Sequence, residues 1–495
     1  MDSKLIIAKG IKIDKNYTNV LSYDTNGMLA LVEKNAEYSQ DNYNYIDYDK
    51  REILADVDYS LAIECNYIAF QNPRHGNKWY FAFIEDCIYK APKQCKIVFS
   101  IDVWSTFFDN WTAKSCFVVR EHVNDDAVGK HTVPENVTTG EYIVQSHLRD
   151  SYNRGNQRIV VSANITPSEG EKVFGGVYQG VPTGYRYFSY PFADMKSVAE
   201  HILLAESRQG DINQLFIAPE WLAGTNILMV DSTTVETREL GISPITNLDG
   251  YAPKNNKLLT YPYVYILLSN GQGQEAIMHQ ELWEKVNGEM KLEMIGSLTA
   301  GCSIRLVPKN YKNDPLNFEE GINLGKFPQL NWSTDSYINW QTQQGINQGF
   351  NAITNTIRNP DPSNAMMEIA NLLYSDYRAQ EIPPQVHGNM NAGDVVWASR
   401  ENCFHNYRIT IRREFAKQID DYFSRFGYKI NETKIPNISG RQNFNFIEIG
   451  KDECIGYGDV PSKYMEQIND ICRQGVTIWH NHDNLGNYNV NNPII

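Results

Sequence analysis

Between Tyr67 and Val123 the hydrophobic and polar positions predict a run of consecutive strands. Cys95, Ile97, Phe99, Ile101 and Val103 occupy every second position, which sends all five to one face of a pleated strand. The segment before them, Lys78 to Tyr89, is rich in aromatic and β-branched residues. It lies between His75-Gly76-Asn77 and Ala91-Pro92-Lys93, both turn-like. Residues Ser115 to Val123 repeat the pattern. Such a meander needs a core on one face and contains no reaction centre.

The flanking chain has other textures. A short opening strand is expected from Leu5 to Ile13. The Tyr-, Asn- and Asp-rich stretch Tyr38 to Tyr48 reads as a surface loop or as an exposed binding edge. Asn124 to Glu135 reads as a linker by composition. From about 140 to 330 short strands alternate with Gly and Pro: Arg158 to Asn164, Gly184 to Tyr190, Ile227 to Val230, Tyr261 to Leu268 and Lys291 to Val307. One helix is expected within Met195 to Glu206, with Val198, Ile202 and Ala205 on one side. Residues 335–381 predict a helical hairpin: a Gln- and Asn-rich helix from Asp335 to Arg358, a turn, then a helix with Met366, Ile369, Ala370, Leu373 and Tyr377 on one stripe. Residues 404–480 alternate as βαββαβ, with helices at Arg412 to Phe426 and Ser462 to Cys472 and left-handed caps expected at Gly427 and Gly475. Four segments follow: 1–135, 136–334, 335–403 and 404–495, the last either folding alone or completing the first. No repeat of fixed period occurs, which disfavours solenoids and repetitive shafts.

Composition narrows the function. A chain of 495 residues is too long for one core. The formal net charge of −14, with no basic run, argues against a protein that grips nucleic acid through its phosphates. The eight cysteines include no CxxC pair and sit mostly inside apolar runs, so buried free thiols are expected rather than disulfides or metal ligands. The N-terminus, MDSKLIIAKGIKIDKN, has only a short apolar patch, and synthesis in a reducing cytoplasm is expected. Asn-x-Thr triplets at Asn136 and Asn164 then reflect an Asn-rich composition rather than glycan sites.

Motifs for a phosphate-cradling loop, a nucleophile elbow or a helical zinc pair are absent from the sequence. His480, His482 and Asp483 superficially offer metal ligands, but alternate strand positions supply no third ligand at a fixed spacing, and no metal site is expected. Glu319-Glu320 and Asp420-Asp421 could in principle serve glycoside hydrolysis. Adjacent residues point apart, however, and Asp420 and Asp421 read as the solvated face of a helix burying Ile419 and Tyr422. The aromatic stretches Tyr38 to Tyr48 and Tyr185 to Tyr190 could stack on sugars, although sheet or interface roles suffice. No catalytic residue, cofactor or metal is expected.

Several strings carry a resemblance. YIAFQN (67–72), GNKWYFAFI (76–84), FSIDVWSTF (99–107) and FVVREHV (117–123) closely resemble the tail knob, or distal tail tube, proteins of small short-tailed bacteriophages of Gram-positive hosts. The match returns in Ile382-Pro383-Pro384-Gln385, in Phe426 to Asn431, in Gly475 to His480 and in Gly486-Asn487-Tyr488. The resemblance implies a β-rich α+β fold of tail-tube-like barrel or sandwich domains, with a helical hairpin insertion and the βαββαβ-ordered segment. It implies a structural virion protein, not an enzyme: a homo-hexameric tube in the phage tail that conducts double-stranded DNA without sequence-specific contacts. Its partners would be five further copies, the tail collar, a tail-tip protein and the host membrane. Six copies would carry roughly −84 charges, which would keep DNA sliding. The family's long Gly- and Ala-rich apolar loop, which attacks the membrane, has no counterpart in 335–381. Either this chain works otherwise or the loop has been shortened. Unpaired meander edges are the expected contact surfaces, and charge reversal of Arg120 or Glu121 is expected to weaken assembly. The alternative is a tail-borne host-surface adhesin or cell-wall hydrolase, drawn from the tyrosine-rich stretches.

Overall fold

The computed structural model describes residues 3–47, 51–73, 76–152, 157–171, 177–178, 181–182, 186–191, 193–208, 212–224, 229–230, 235–271, 273–284, 290–298, 302–324, 329–331, 390–391 and 402–495. Contacts divide the chain into two units. The first comprises 1–140, 251–258 and 413–495, the second 141–250 and 259–412. The helical hairpin expected over 335–381 lies outside the described residues.

The first unit is built on a seven-stranded antiparallel sheet. Its strand order is Ala36–Asp41, Lys4–Ala8, Tyr67–Gln71, Trp79–Ala91, Gln94–Ile101, Glu52–Ala55 and Asn44–Asp47. The two edge strands are neighbours in sequence. Lying flat, seven strands would separate these edges by roughly 29 Å, whereas the chain from Asp41 to Asn44 reaches only about 11 Å. The sheet must therefore roll. Hydrogen bonds tie one edge to the strand next to the other: Asp56, just after Glu52–Ala55, donates its amide to Gln40 Oε1 at 2.9 Å and accepts from Gln40 Nε2 at 2.9 Å, and Tyr38 Oη donates to the Asp56 carbonyl at 2.7 Å. The stretch expected as a surface loop thus supplies both edges.

Alternation sorts this sheet's side chains between two cores. Leu5, Ile7, Ile68 and Phe70 join Cys95, Ile97 and Phe99 on one face. Ile6, Ala8, Tyr67, Ala69, Phe81 and Phe83 face the other, against Met28, Leu31 and Val32 of the helix Thr25–Lys34. Strand Gln94–Ile101 buries every second residue as its pattern predicts, but Val103 does not continue it. Asp102 accepts the Ser105 amide at 3.2 Å and caps a short helix, Val103–Phe107.

A second sheet of this unit joins the two ends of the chain. Its order is Asn19–Leu21, Val476–Trp479, Phe444–Ile449, Cys116–Glu121 and Tyr428–Lys434. Helix Ser462–Gln474 packs Ile468, Ile471 and Cys472 into the same core as Val118, Ile447, Ile449 and Ile478. Helix Arg413–Phe426 buries Ala416, Ile419, Asp420 and Phe423, and Gly427 follows it at φ 64°. A Cβ at Gly427 would lie 2.1 Å from the Glu121 carbonyl oxygen, so both the turn and the close approach require glycine there. The elements after residue 402 do not form one self-contained set, because Asn402–Ile411 pairs within the second unit.

Among its described residues that second unit holds three main sheets. A six-stranded one runs Met229–Val230, Arg186–Pro191, Gln157–Ala163, Ile212–Pro219, Gln329–Asn331 and Met390–Asn391. Against it lies helix Met195–Ser207, whose Val198, Ile202 and Ala205 are buried as their spacing predicts. A four-stranded sheet has the order Tyr142–Tyr152, Asn402–Ile411, Val264–Ser269 and Glu275–Met278. A third is formed by Val235–Ile242, Met290–Ser297, Ser303–Tyr311 and Asp314–Leu316, with Ile322–Asn323 beside Ser303–Tyr311. The expected strand Lys291 to Val307 is in fact this hairpin's two central strands.

Candidate functional site

The residues singled out for chemistry are occupied in holding the fold. His480 follows strand Val476–Trp479 and uses both ring nitrogens: Nδ1 meets Ser22 Oγ at 2.7 Å and Nε2 meets Asn445 Oδ1 at 3.0 Å. His482 Nε2 accepts the Lys12 amide at 3.3 Å, while the Asp483 side chain is exposed. These imidazoles fasten the C-terminal segment to the N-terminal one. Among the described residues no three His, Cys, Asp or Glu side chains converge as a metal would require. All eight cysteines are free, and all but Cys454 are buried.

The paired carboxylates separate. Glu320 pairs with Lys312. Asp421 is exposed, but Asp420 is fully buried, which corrects the expectation that both lie on a solvated face. It accepts from Tyr251 Oη at 2.7 Å, the Lys254 amide at 2.7 Å, the Asn255 amide at 3.1 Å and Asn255 Nδ2 at 2.7 Å. One carboxylate thereby fixes the segment 251–258. It sits on the helix's own buried stripe, four residues after Ala416 and three before Phe423.

Arg120 and Glu121 also differ from expectation. Cys116–Glu121 is not an edge, since it pairs with Tyr428–Lys434 on one side and Phe444–Ile449 on the other. Arg120 donates to Glu135 and, at 2.7 Å, to the Gly427 carbonyl. Glu135, whose side chain is 1% exposed, also accepts from Lys257 Nζ at 2.6 Å and the Lys429 amide at 2.8 Å. Burial opposes its charge, but Lys257, the Lys429 amide and Arg120 outweigh burial and hold the carboxyl below its ordinary range. Glu121 accepts from Lys434 Nζ at 2.5 Å and the Asn437 amide at 2.7 Å. The stretch read as a linker is therefore pinned at Glu135 and at Asp126, which accepts from Tyr428 Oη at 2.6 Å and the Asn256 amide at 3.0 Å.

In the second aromatic stretch the described tyrosines turn inward. Tyr187 and Tyr190 of strand Arg186–Pro191 are buried, and Tyr190 Oη meets His201 Nδ1 at 2.8 Å. What the described surface offers is strand edges. Val235–Ile242 pairs on one side with Met290–Ser297 and exposes most of its residues, with Glu236, Arg238 and Glu239 alternating in sign. Among the described residues no helix is long and apolar enough to cross a membrane.

Rolled and layered sheets held together by inward-facing charged clusters are the architecture of this chain. Comparison with known proteins names its kind. Residues 231–379 and 364–493 match the family described as "Bacillus phage phi29, Tail knob protein gp9, C-terminal domain", and residues 1–112 match "Caudoviral major tail protein N-terminus". The chain is 23% identical to tail knob protein gp9 of Bacillus phage phi29 over 90% of both chains, and 22% identical to tail knob protein gp9 of Bacillus phage PZA over 92% of both. The tail knob protein gp12 of bacteriophage C1 shares its fold at a TM-score of 0.60, with 14% identity and 100% of both chains covered. The chain belongs to the phage tail knob family. It is a structural component of the virion tail and not an enzyme, as its relatives are.

Proposed function

We propose that the chain is the subunit of a homo-hexameric distal tail tube that conducts double-stranded DNA during ejection, joined to a collar protein above and a tip protein below. The observation that carries this reading is the match of residues 1–112 to the major tail protein family, over the stretch that contains the rolled seven-stranded sheet. Edges such as Val235–Ile242, paired on one side among the described residues, suit the heterologous contacts from which a ring closes. The net charge of −14 suits a wall past which DNA slides without being gripped. Residues 335–381, expected as a helical hairpin, would meet the host membrane at the tube's mouth or lumen, and dye release from liposomes at mildly acidic pH tests that role; intact liposomes would remove it.

The deciding experiment is light scattering on the purified protein, followed by end-on views in negative stain. Six-fold rings with a hole wide enough for a duplex are expected. Trimers, or closed rings without such a hole, would overturn the proposal.

A further inference from the structure

The four-stranded sheet of the second unit carries a side-chain chain that the structural role does not use. Cys403, His405 and Tyr407 alternate along Asn402–Ile411 and so share a face, and His147 of the adjoining strand stands directly opposite Tyr407. Cys403 Sγ lies 3.1 Å from His405 Nε2, and His405 Nδ1 lies 2.9 Å from His147 Nε2. The rings are held by stacking: His147 lies 4.4 Å from Tyr407 at 11° and 5.1 Å from His405 at 22°. Two tautomer arrangements satisfy these contacts, and one of them aims the thiol proton at a base. In it the thiol donates to His405 Nε2, and His405 Nδ1–H donates to His147 Nε2.

This is the geometry of a nucleophile beside a base that a third group orients. The contrast with other cysteines is chemical. The thiols of Cys65, Cys87, Cys95 and Cys454 donate to the backbone carbonyls of Leu61, Ala62, Lys96 and Gly456, none of which can take a proton away. Burial pushes Cys116 up to about 11 and raises Cys302 and Cys472 further, so those thiols stay protonated. The groups facing His405 are Arg149 opposite it, Ser269 on its other side and Glu275 beyond Ser269. Burial, then His147 and Arg149, lower its pKa, so the imidazole rests neutral and holds the thiol proton only transiently.

We propose that Cys403 is a reactive thiol, activated by His405 and positioned through His147, which exchanges with low-molecular-weight disulfides of the glutathione class. The Cys403 proton passes to His405 Nε2. The sulfur attacks one sulfur of the disulfide, a new S–S bond forms as the old one breaks, and the departing thiolate takes up the proton. No further oxidant is consumed. Cys403 is 8% exposed, while His147 is open to solvent and can pass charge outward.

The test is peptide mapping by mass spectrometry of the full chain during exposure to glutathione disulfide across pH 6 to 9. Cys403 is expected to gain the adduct about tenfold faster than Cys454, the part-exposed comparison thiol. His405→Gln should slow it about tenfold, and His147→Gln should shift the acid limb of its pH profile, which a merely structural role would leave in place. Circular dichroism establishes that both variants fold. Equal rates at Cys403 and Cys454, or an unchanged rate and profile in His405→Gln, would overturn the proposal.

Discussion

Charge reversal at Arg120 separates a residue that holds its own unit together from one that meets a neighbouring subunit. The Arg120 side chain is 10% exposed and its partner Glu135 is 1% exposed, so the pair is shielded from solvent. Breaking a buried pair by changing one partner costs about 3–5 kcal/mol, because the other charge is left uncompensated. Arg120→Glu is worse, since it sets a second carboxylate beside Glu135 and strips the Gly427 carbonyl of its donor. Lys257 and the Lys429 amide still hold Glu135, which keeps the expected loss near the middle of that range, about 4 kcal/mol. At a urea dependence of about 2 kcal/mol per M, the midpoint of the first unit's transition should fall by about 2 M. Arg120→Met keeps the aliphatic stem near Tyr422, over whose ring the guanidinium lies at 5.0 Å, and should lose about half as much. The assay is urea unfolding of the unassembled chain, followed by the fluorescence of Trp104, Trp111 and Trp479. A chain carrying Arg120→Glu that unfolds at the wild-type midpoint yet fails to form rings would refute this reasoning and move Arg120 to a subunit interface.

Two further outcomes follow from buried polar groups. His122 accepts the Phe446 amide at Nδ1, 2.8 Å away, and donates from Nε2 to the Ser424 carbonyl at 3.1 Å; burial, then Arg441, lowers its pKa to about 3. The unfolded chain takes up a proton below about pH 6.5 that the folded chain refuses, so this contribution is complete above that pH and falls by about 1.4 kcal/mol per unit between 6.5 and 3. His122→Gln should remove one proton's worth of slope from stability measured between pH 6 and 4, and an unchanged slope would sink the assignment. Asp420→Ala should cost about 3 kcal/mol or more by stranding four donors, whereas Asp421→Ala should stay within about 0.5 kcal/mol. Thermal melts that place the two variants together would contradict the buried role of Asp420.

Local pattern carried the elements, and residue type misled where charge was buried. The alternation of Cys95, Ile97, Phe99 and Ile101 gave a true strand, and the stripes in Arg413–Phe426 and Ser462–Gln474 gave true helices, because burial of one face is written at fixed spacing. Val103 misled because period alone does not register a cap, although Asp102 with Ser105 three residues on was a readable one. Asp420 lay on the right stripe all along, and only its charge argued for solvent. Its four donors come from Tyr251 to Asn255, more than 160 residues away in sequence, so nothing local could show that the charge was paired. Arg120 and Glu121 share that cause, since Lys257 and Lys434 complete their clusters from distant segments.

The rolling of the N-terminal sheet shows how a long-range fact can depend on a very short segment. Neither edge strand, Ala36–Asp41 nor Asn44–Asp47, has the apolar alternation that marks a strand, and a Tyr- and Asn-rich stretch reads naturally as a loop. Edge strands need only one hydrogen-bonded side and little core, so their sequences escape the pattern that betrays central strands. Once the strand order is known, however, the two-residue link Asn42-Tyr43 allows only a sheet bent round on itself, and Asn42 at φ 56° makes that turn. Tyr43 then closes the corner, with its ring 5% exposed in the core and its hydroxyl directed at the Gln71 carbonyl 3.4 Å away. The tyrosine-rich stretch is thus where the chain forces its own sheet to roll, with Tyr38 and Tyr43 both engaged in that closure.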